Sequence, residues 1–141
     1  MDKFALLLRL NPERWPNWER QIVQNTDATV WFKTGPRLPE DIHPGIPVIV
    51  LGTGGLGVVA SGKTSSNIEF RSDPDWQDAS QEYQEECKQT ENRVCVKIRR
   101  VSVALTELKK QPNIAKLDRR RKTTTWIASE QYQAIKELIE R

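Results

Sequence analysis

Histidine, methionine and cysteine are scarce in this 141-residue chain, which holds one histidine, one methionine and two cysteines. A metal site built from nitrogen and sulfur needs several such ligands at short, regular spacings, and His43, Cys87 and Cys95 do not supply them. No metal and no cofactor is expected. Nothing in the composition points to an oxidising compartment, so the two cysteines read as free thiols. His43 has no acidic or cysteine partner beside it, and no pair of carboxylates is fixed by a motif, which leaves no constellation for acid–base or nucleophilic catalysis. Long apolar runs are also missing. The mean hydropathy is -0.65, and no stretch approaches the ~20 apolar residues of a membrane span. The opening Phe4-Ala5-Leu6-Leu7-Leu8 follows Asp2 and is cut by Arg9, a poor signal peptide. The expectation is a cytoplasmic protein with no membrane partner, binding rather than catalysing.

What is present fits one domain over residues 1–141, long enough to bury roughly two thirds of its unfolded surface without metal or disulfide. The formal charge of +3 is unevenly distributed. Asp73, Asp75, Asp78, Glu82, Glu85, Glu86 and Glu91 make one stretch acidic, whereas Lys97, Arg99, Arg100, Lys109, Lys110, Lys116, Arg119, Arg120, Arg121 and Lys122 make the next one basic. A charge run is commonly a solvated face. Four adjacent cations at 119–122 nevertheless repel one another, and a ligand phosphate would relieve that repulsion.

The apolar pattern sets the elements. Residues 3–10 read as a buried strand. Asn11-Pro12-Glu13 reads as a helix start, with Trp15, Trp18, Ile22 and Val23 on one face and Pro16 in its first turn or kinking it. In the strand at 28–34, Val30 and Phe32 alternate with Trp31 and Lys33, so a core-facing Phe32 turns Trp31 to the other side, where a large indole calls for a ligand or a loop to cover. His43-Pro44-Gly45 and Gly52-Thr53-Gly54-Gly55 read as turns around a strand at 47–51, and residues 57–64 as its returning partner. Gly62-Lys63-Thr64 therefore falls inside a strand, not between a strand and a helix as a phosphate loop would, which argues against nucleotide hydrolysis. A short segment surrounds Ile68 and Phe70. Residues 93–103 alternate as a half-buried strand with Cys95, Lys97 and Arg99 outward, 105–110 form a short helix, 123–127 a strand, and Ser129 caps a terminal helix carrying Tyr132, Ile135, Leu138 and Ile139 inward.

Asn11-Pro12, Val30-Trp31-Phe32-Lys33-Thr34, Pro44-Gly45, Gly57-Val58-Val59-Ala60-Ser61-Gly62, Asp75-Trp76, Arg93-Val94-Cys95-Val96-Lys97-Ile98, the Leu105 helix and Ile127-Ala128-Ser129-Glu130 follow one another in an order that resembles an EVE domain. That family stands with YTH and ASCH domains in the PUA-like group, and the pattern is nearest to EVE-like modules of modification-dependent restriction systems. The resemblance implies an α+β fold, a PUA-like curled β-barrel of about five to six strands flanked by helices. It also implies a pocket that accepts one flipped, modified base. Trp31 and Trp76 would be the aromatic walls of the cage, Asn11 would bond the base edge, and Phe32, Thr34 and Ser61 lie in the matching segments. Arg99, Arg119, Arg120, Arg121, Lys122 and Thr123 would meet the nucleic-acid backbone. Ile46 departs from the family pattern, which commonly has an acidic residue after the Pro-Gly turn, and the acidic stretch at 77–91 has no clear counterpart.

Three functions follow as expectations. The first is a DNA reader of methylated or hydroxymethylated cytosine by base flipping, working beside a nuclease partner: flipping costs a few kcal/mol and stacking returns ~1–3 kcal/mol per base. The second is an RNA-binding PUA- or YTH-like module, which would prefer single-stranded RNA; between these two readings DNA is the favoured partner. The third is a domain that binds a nucleobase-like small molecule.

Overall fold

A computed structural model describes residues 3–34, 42–73, 84–85, 87–110 and 124–140. At its centre β1 (Ala5–Leu10) and β3 (Pro47–Gly52) run parallel, in register from Leu6 opposite Val48 to Leu10 opposite Gly52. Leu6, Leu7 and Leu8 are buried, as are Val48, Ile49 and Val50. Both faces of this pair are covered, which is why both strands read in sequence as unbroken apolar runs and not as alternations.

The rest of the sheet grows outward from that pair. β7 (Thr124–Ile127) lies antiparallel along the other edge of β1. Beside β3 comes β4 (Gly57–Thr64), then the long β6 (Glu91–Val103), then β2 (Ala28–Lys33), each antiparallel to its neighbour. The short β5 (Glu69–Arg71) pairs with the beginning of β6. The order is β2-β6-β4-β3-β1-β7 with β5 attached to β6, a seven-stranded sheet. β2 and β7 end this path, so the curled sheet is open. The expected α+β class holds. The strand number exceeds expectation because the segment around Phe70 makes a strand of its own.

Two cores fill the two faces. The inner one joins Leu6, Leu8, Val48, Val50, Ala60, Val96 and Ile98 to Val30 and Phe32 of β2 and to Trp15, Trp18 and Ile22. The outer one joins Leu7, Ile49, Leu51, Val58, Val103 and Ile127 to Leu108 of α2 (Leu105–Lys109) and to Ile135 and Leu138 of α3 (Ser129–Glu140). A register shift at Val58 and Ala60 lets Val58 face outward while Val59 and Ala60 face inward.

The helix expected from Asn11 onward is shorter than its pattern. Only α1 (Trp18–Gln21) is helical, and residues 12–17 are largely turns held by the Asn11 carbonyl, which accepts from the N–H groups of Arg14 and Trp15, both at 3.1 Å. Pro16 is the physical reason, since it lacks an N–H and disfavours helical backbone at the residue before it. Trp15, Trp18 and Ile22 are buried as expected, but Val23 is exposed. At α3 the helix begins at Ser129, and the Ala128 N–H is held by the Gln131 side chain at 2.9 Å, a reach-back from the third helical position.

Candidate functional site

α2 and α3 cover only part of the outer face. The other part, formed by β2, the first half of β6, the second half of β4 and β5, carries polar residues. Cross-strand pairing arranges them in rows. Thr29, Lys97 and Lys63 stand in one row, because Thr29 pairs with Lys97 and Lys97 with Lys63. Trp31 stands in the next with Cys95, and Lys33 in the next with Arg93 and Glu69. Successive rows on one face are two residues apart, about 6.8 Å.

Trp31 is half-buried, and its ring is covered by Arg71, whose guanidinium carbon lies 4.1 Å from the ring centroid. Arg71 is held in turn: its Nε donates to the Ser72 carbonyl at 3.0 Å, and its own carbonyl accepts from Nε of Arg93 at 3.1 Å. Arg93 is only 1% exposed, a buried cation that also faces the Gln89 carbonyl at 3.5 Å and a Glu91 carboxylate oxygen at 3.6 Å. The arginine under β5 therefore fixes the strand whose neighbouring arginine caps the indole.

The surrounding cations divide by partner. Lys33 pairs with Glu91 at 2.9 Å and Arg99 with Asp27 at 2.5 Å. Lys63 and Lys97 are exposed and directly opposite each other, with no acidic partner among the described residues. Like charges facing each other across an antiparallel pair destabilise it, typically by ~0.2–1 kcal/mol. The close approach is enforced by Gly62, where an added Cβ would lie 1.9 Å from the Lys97 carbonyl oxygen. An anion between the two ammonium groups would remove the repulsion.

The residues expected at the pocket separate onto different parts of the sheet. Trp31 lies on the outer face, whereas Phe32, 8% exposed, packs in the inner core. Thr34 is buried beyond the end of β2, donating through its N–H and Oγ1 to the Asn92 carbonyl at 2.9 and 3.2 Å. Ser61 pairs with Arg99 and shares the outer face with it. Asn11 lies at the other end of the sheet, past Leu10, which pairs with Gly52 and through it with Gly57, while Trp31 stands level with Ser65. Along β4 those two levels are about 26 Å apart at ~3.3 Å per residue. The Asn11 carboxamide oxygen accepts from the Glu13 N–H at 3.0 Å, a local turn bond. The structure thus brings Trp31, Ser61 and Arg99 onto one surface and leaves Phe32, Thr34 and Asn11 off it. Trp76, Arg119, Arg120, Arg121, Lys122 and Thr123 lie outside the described residues.

Sequence reasoning missed Arg71, Lys63 and Lys97 as members of one surface. The alternation of β6 already turned Lys97 outward, but only the register places Lys63 against it. Residues 57–64 match the spacing of a phosphate loop letter for letter, G-x-x-x-x-G-K-T. They nevertheless form β4, paired on both edges with β3 and β6, so their amides are not free to cradle a phosphate. Among the described residues no group of three histidine, cysteine or acidic side chains could hold a metal ion. His43 is exposed, and its Nδ1 is 2.8 Å from the Pro44 carbonyl oxygen. Cys87 and Cys95 are free thiols, both buried. No helix among the described residues is long and apolar enough to cross a membrane.

The architecture, an open curled sheet with helices against one part of its outer face, is shared with solved structures. A hypothetical protein from Leishmania major superposes with a TM-score of 0.64 at 17% identity, over 99% of this chain and 96% of that one. An ASCH protein from Zymomonas mobilis does so with a TM-score of 0.62 at 15% identity, over 97% and 96%. A Pseudomonas syringae protein gives 0.63 at 14% identity, over 95% and 98%. No family model and no curated protein matches the chain. The likeness shows that this chain shares its fold with a solved ASCH protein.

Proposed function

We propose that this chain is a nucleic-acid-binding module in which Trp31 is the platform for one base and Lys63, Lys97 and Arg99 hold the backbone beside it. The observation that carries the reading is the Lys63–Lys97 pair, exposed, mutually repelling and one row away from Trp31. The fold likeness to an ASCH domain supports the same reading.

Arg71 does not obstruct it. A partly exposed cation–π contact is worth about 0.5–1 kcal/mol, and stacking of a base on an aromatic ring ~1–3 kcal/mol. The exchange favours the base, and the displaced guanidinium is left beside the sugar–phosphate backbone, where it can pair with a phosphate. Catalysis is not part of the proposal.

The finer reading comes from the resemblance to EVE domains. In it the base is a methylated or hydroxymethylated cytosine, and one added methyl in an apolar pocket contributes about 1–3 kcal/mol of discrimination. Cleavage of the marked nucleic acid would then fall to a nuclease partner. The test is fluorescence anisotropy with matched duplexes carrying cytosine, methylcytosine, hydroxymethylcytosine or methyladenine, and with a single-stranded RNA. Binding that falls at least fivefold in Trp31→Ala, with the fold intact, is the expected result. Unchanged affinity in that variant overturns the platform. A preference for one modified duplex supports the finer reading, and equal binding to all four removes it.

A further inference from the structure

Phe70 is 71% exposed, far more than Leu56, Val23 and Phe4, the other exposed large apolar side chains among the described residues, at 43%, 40% and 37%. It sits on β5, the strand that places Arg71 over Trp31, and it pairs with Asn92. The surrounding backbone is held: the carbonyl of the next residue, Arg71, is bonded by buried Arg93, and the carbonyl of Asn92, opposite Phe70 on β6, by Thr34. An aromatic ring is thus presented to solvent from a rigid frame. The alternation of β5 sends Phe70 and Arg71 to opposite sides of the strand, so Phe70 and Trp31 stand on the two flanks of one narrow edge. Exposing an aromatic ring forgoes a burial worth about 1.5–3 kcal/mol.

We infer that Phe70 is a second stacking platform and that the ligand class is single-stranded nucleic acid, with one base on Trp31 and another on Phe70. The inference rests on the nucleic-acid reading above but not on a modified base. The choice of a single strand follows from the number of platforms. A duplex offers one base at a time, at an unpairing cost of a few kcal/mol, whereas an unpaired strand offers neighbouring bases at little cost. Exposed lysines on the same sheet and aromatic rings at its edge are the combination that such strands use, charge tracking the backbone and rings taking bases irrespective of sequence.

The experiment measures anisotropy with labelled single strands of about ten nucleotides, in RNA and in DNA, and with the DNA duplex. Unaltered protein is compared with Phe70→Ala, Phe70→Leu, Phe70→Trp and Lys63→Ala/Lys97→Ala. The expected result is tighter binding of the single strands than of the duplex. Phe70→Ala and Phe70→Leu lose roughly 5- to 150-fold with the salt dependence unchanged, and Phe70→Trp retains binding. Retention in Phe70→Leu overturns stacking in favour of a simple apolar contact. Single-strand affinity unchanged in Phe70→Ala but reduced in the lysine variant overturns the second platform and leaves the nucleic-acid reading standing. Preference for the duplex overturns the ligand class. No oligonucleotide binding by the unaltered protein overturns both readings. The high exposure of Phe70 makes its variants poor candidates for misfolding, and an unchanged melting temperature verifies it.

Discussion

Arg93, buried to 1% exposure, donates from Nε to the main-chain carbonyl of Arg71 at 3.1 Å, so the residue that covers Trp31 is positioned by a charge inside the protein. A buried cation costs several kcal/mol to desolvate and is tolerated only when its donors are satisfied. Here Nε is bonded to the Arg71 carbonyl, the guanidinium reaches the Gln89 carbonyl at 3.5 Å, and the Glu91 carboxylate, 3.6 Å away, supplies the counter-charge.

Replacing Arg93 by methionine keeps the bulk and removes the donors. The carbonyl of Arg71 and the carboxylate of Glu91 then lose partners, although Lys33 still pairs with Glu91. We expect a loss of about 2–4 kcal/mol in urea unfolding, because each unsatisfied buried acceptor costs about 1–3 kcal/mol. Tryptophan fluorescence of the still-folded variant should also change as Arg71 leaves Trp31.

Trp31 and Phe32 are neighbours in the chain with opposite roles. Phe32→Ala opens a hole in the inner core and is expected to cost about 3–5 kcal/mol. Trp31→Ala removes a half-buried ring and one cation–π contact, an expected loss of about 1 kcal/mol, while ligand binding falls. Denaturant midpoints of the two variants, measured together, check the contrast. Equal losses would place both rings in the core.

Gly62→Ala should be more damaging than its size suggests. The new methyl would lie 1.9 Å from the Lys97 carbonyl oxygen and 2.8 Å from the Ile98 Cα, both backbone atoms. β4 and β6 must part to admit it. We expect a loss of roughly 2–3 kcal/mol, a fall in melting temperature of roughly 4–12 °C. Because the same separation moves Lys63 away from Lys97, anion affinity should fall as well.

Much of the fold was legible because the patterns are local. Residues 57–64 are bounded by glycine-rich turns and lie where expected, and the alternation of Val94, Val96 and Ile98 set the inner face of β6. The order of weak segment matches pointed to a fold that a solved ASCH protein shares, although no single motif identifies it and the likeness does not single out EVE domains. The helix at Trp15 was overdrawn because apolar spacing outweighed Pro16. The site was less legible. Trp31 was found from the side of the strand it occupies, but its covering by Arg71 depends on pairing between β5 and β6, segments some twenty residues apart in the chain. Lys63 and Lys97 are likewise far apart in sequence and meet only through the register of β4 against β6. Grouping Phe32 with Trp31 ignored the alternation that had already set them on opposite faces.

The most direct test of the central claim is the salt dependence of oligonucleotide affinity for the unaltered protein and for Lys63→Ala/Lys97→Ala. If the two lysines neutralise backbone phosphates, the logarithm of the association constant falls linearly with the logarithm of salt concentration. The double variant should then lower that slope by about 1.4–1.8, with stability unchanged or raised by a few tenths of a kcal/mol. A double variant that binds as tightly, with the same slope, would contradict the account and return this face of the sheet to solvent.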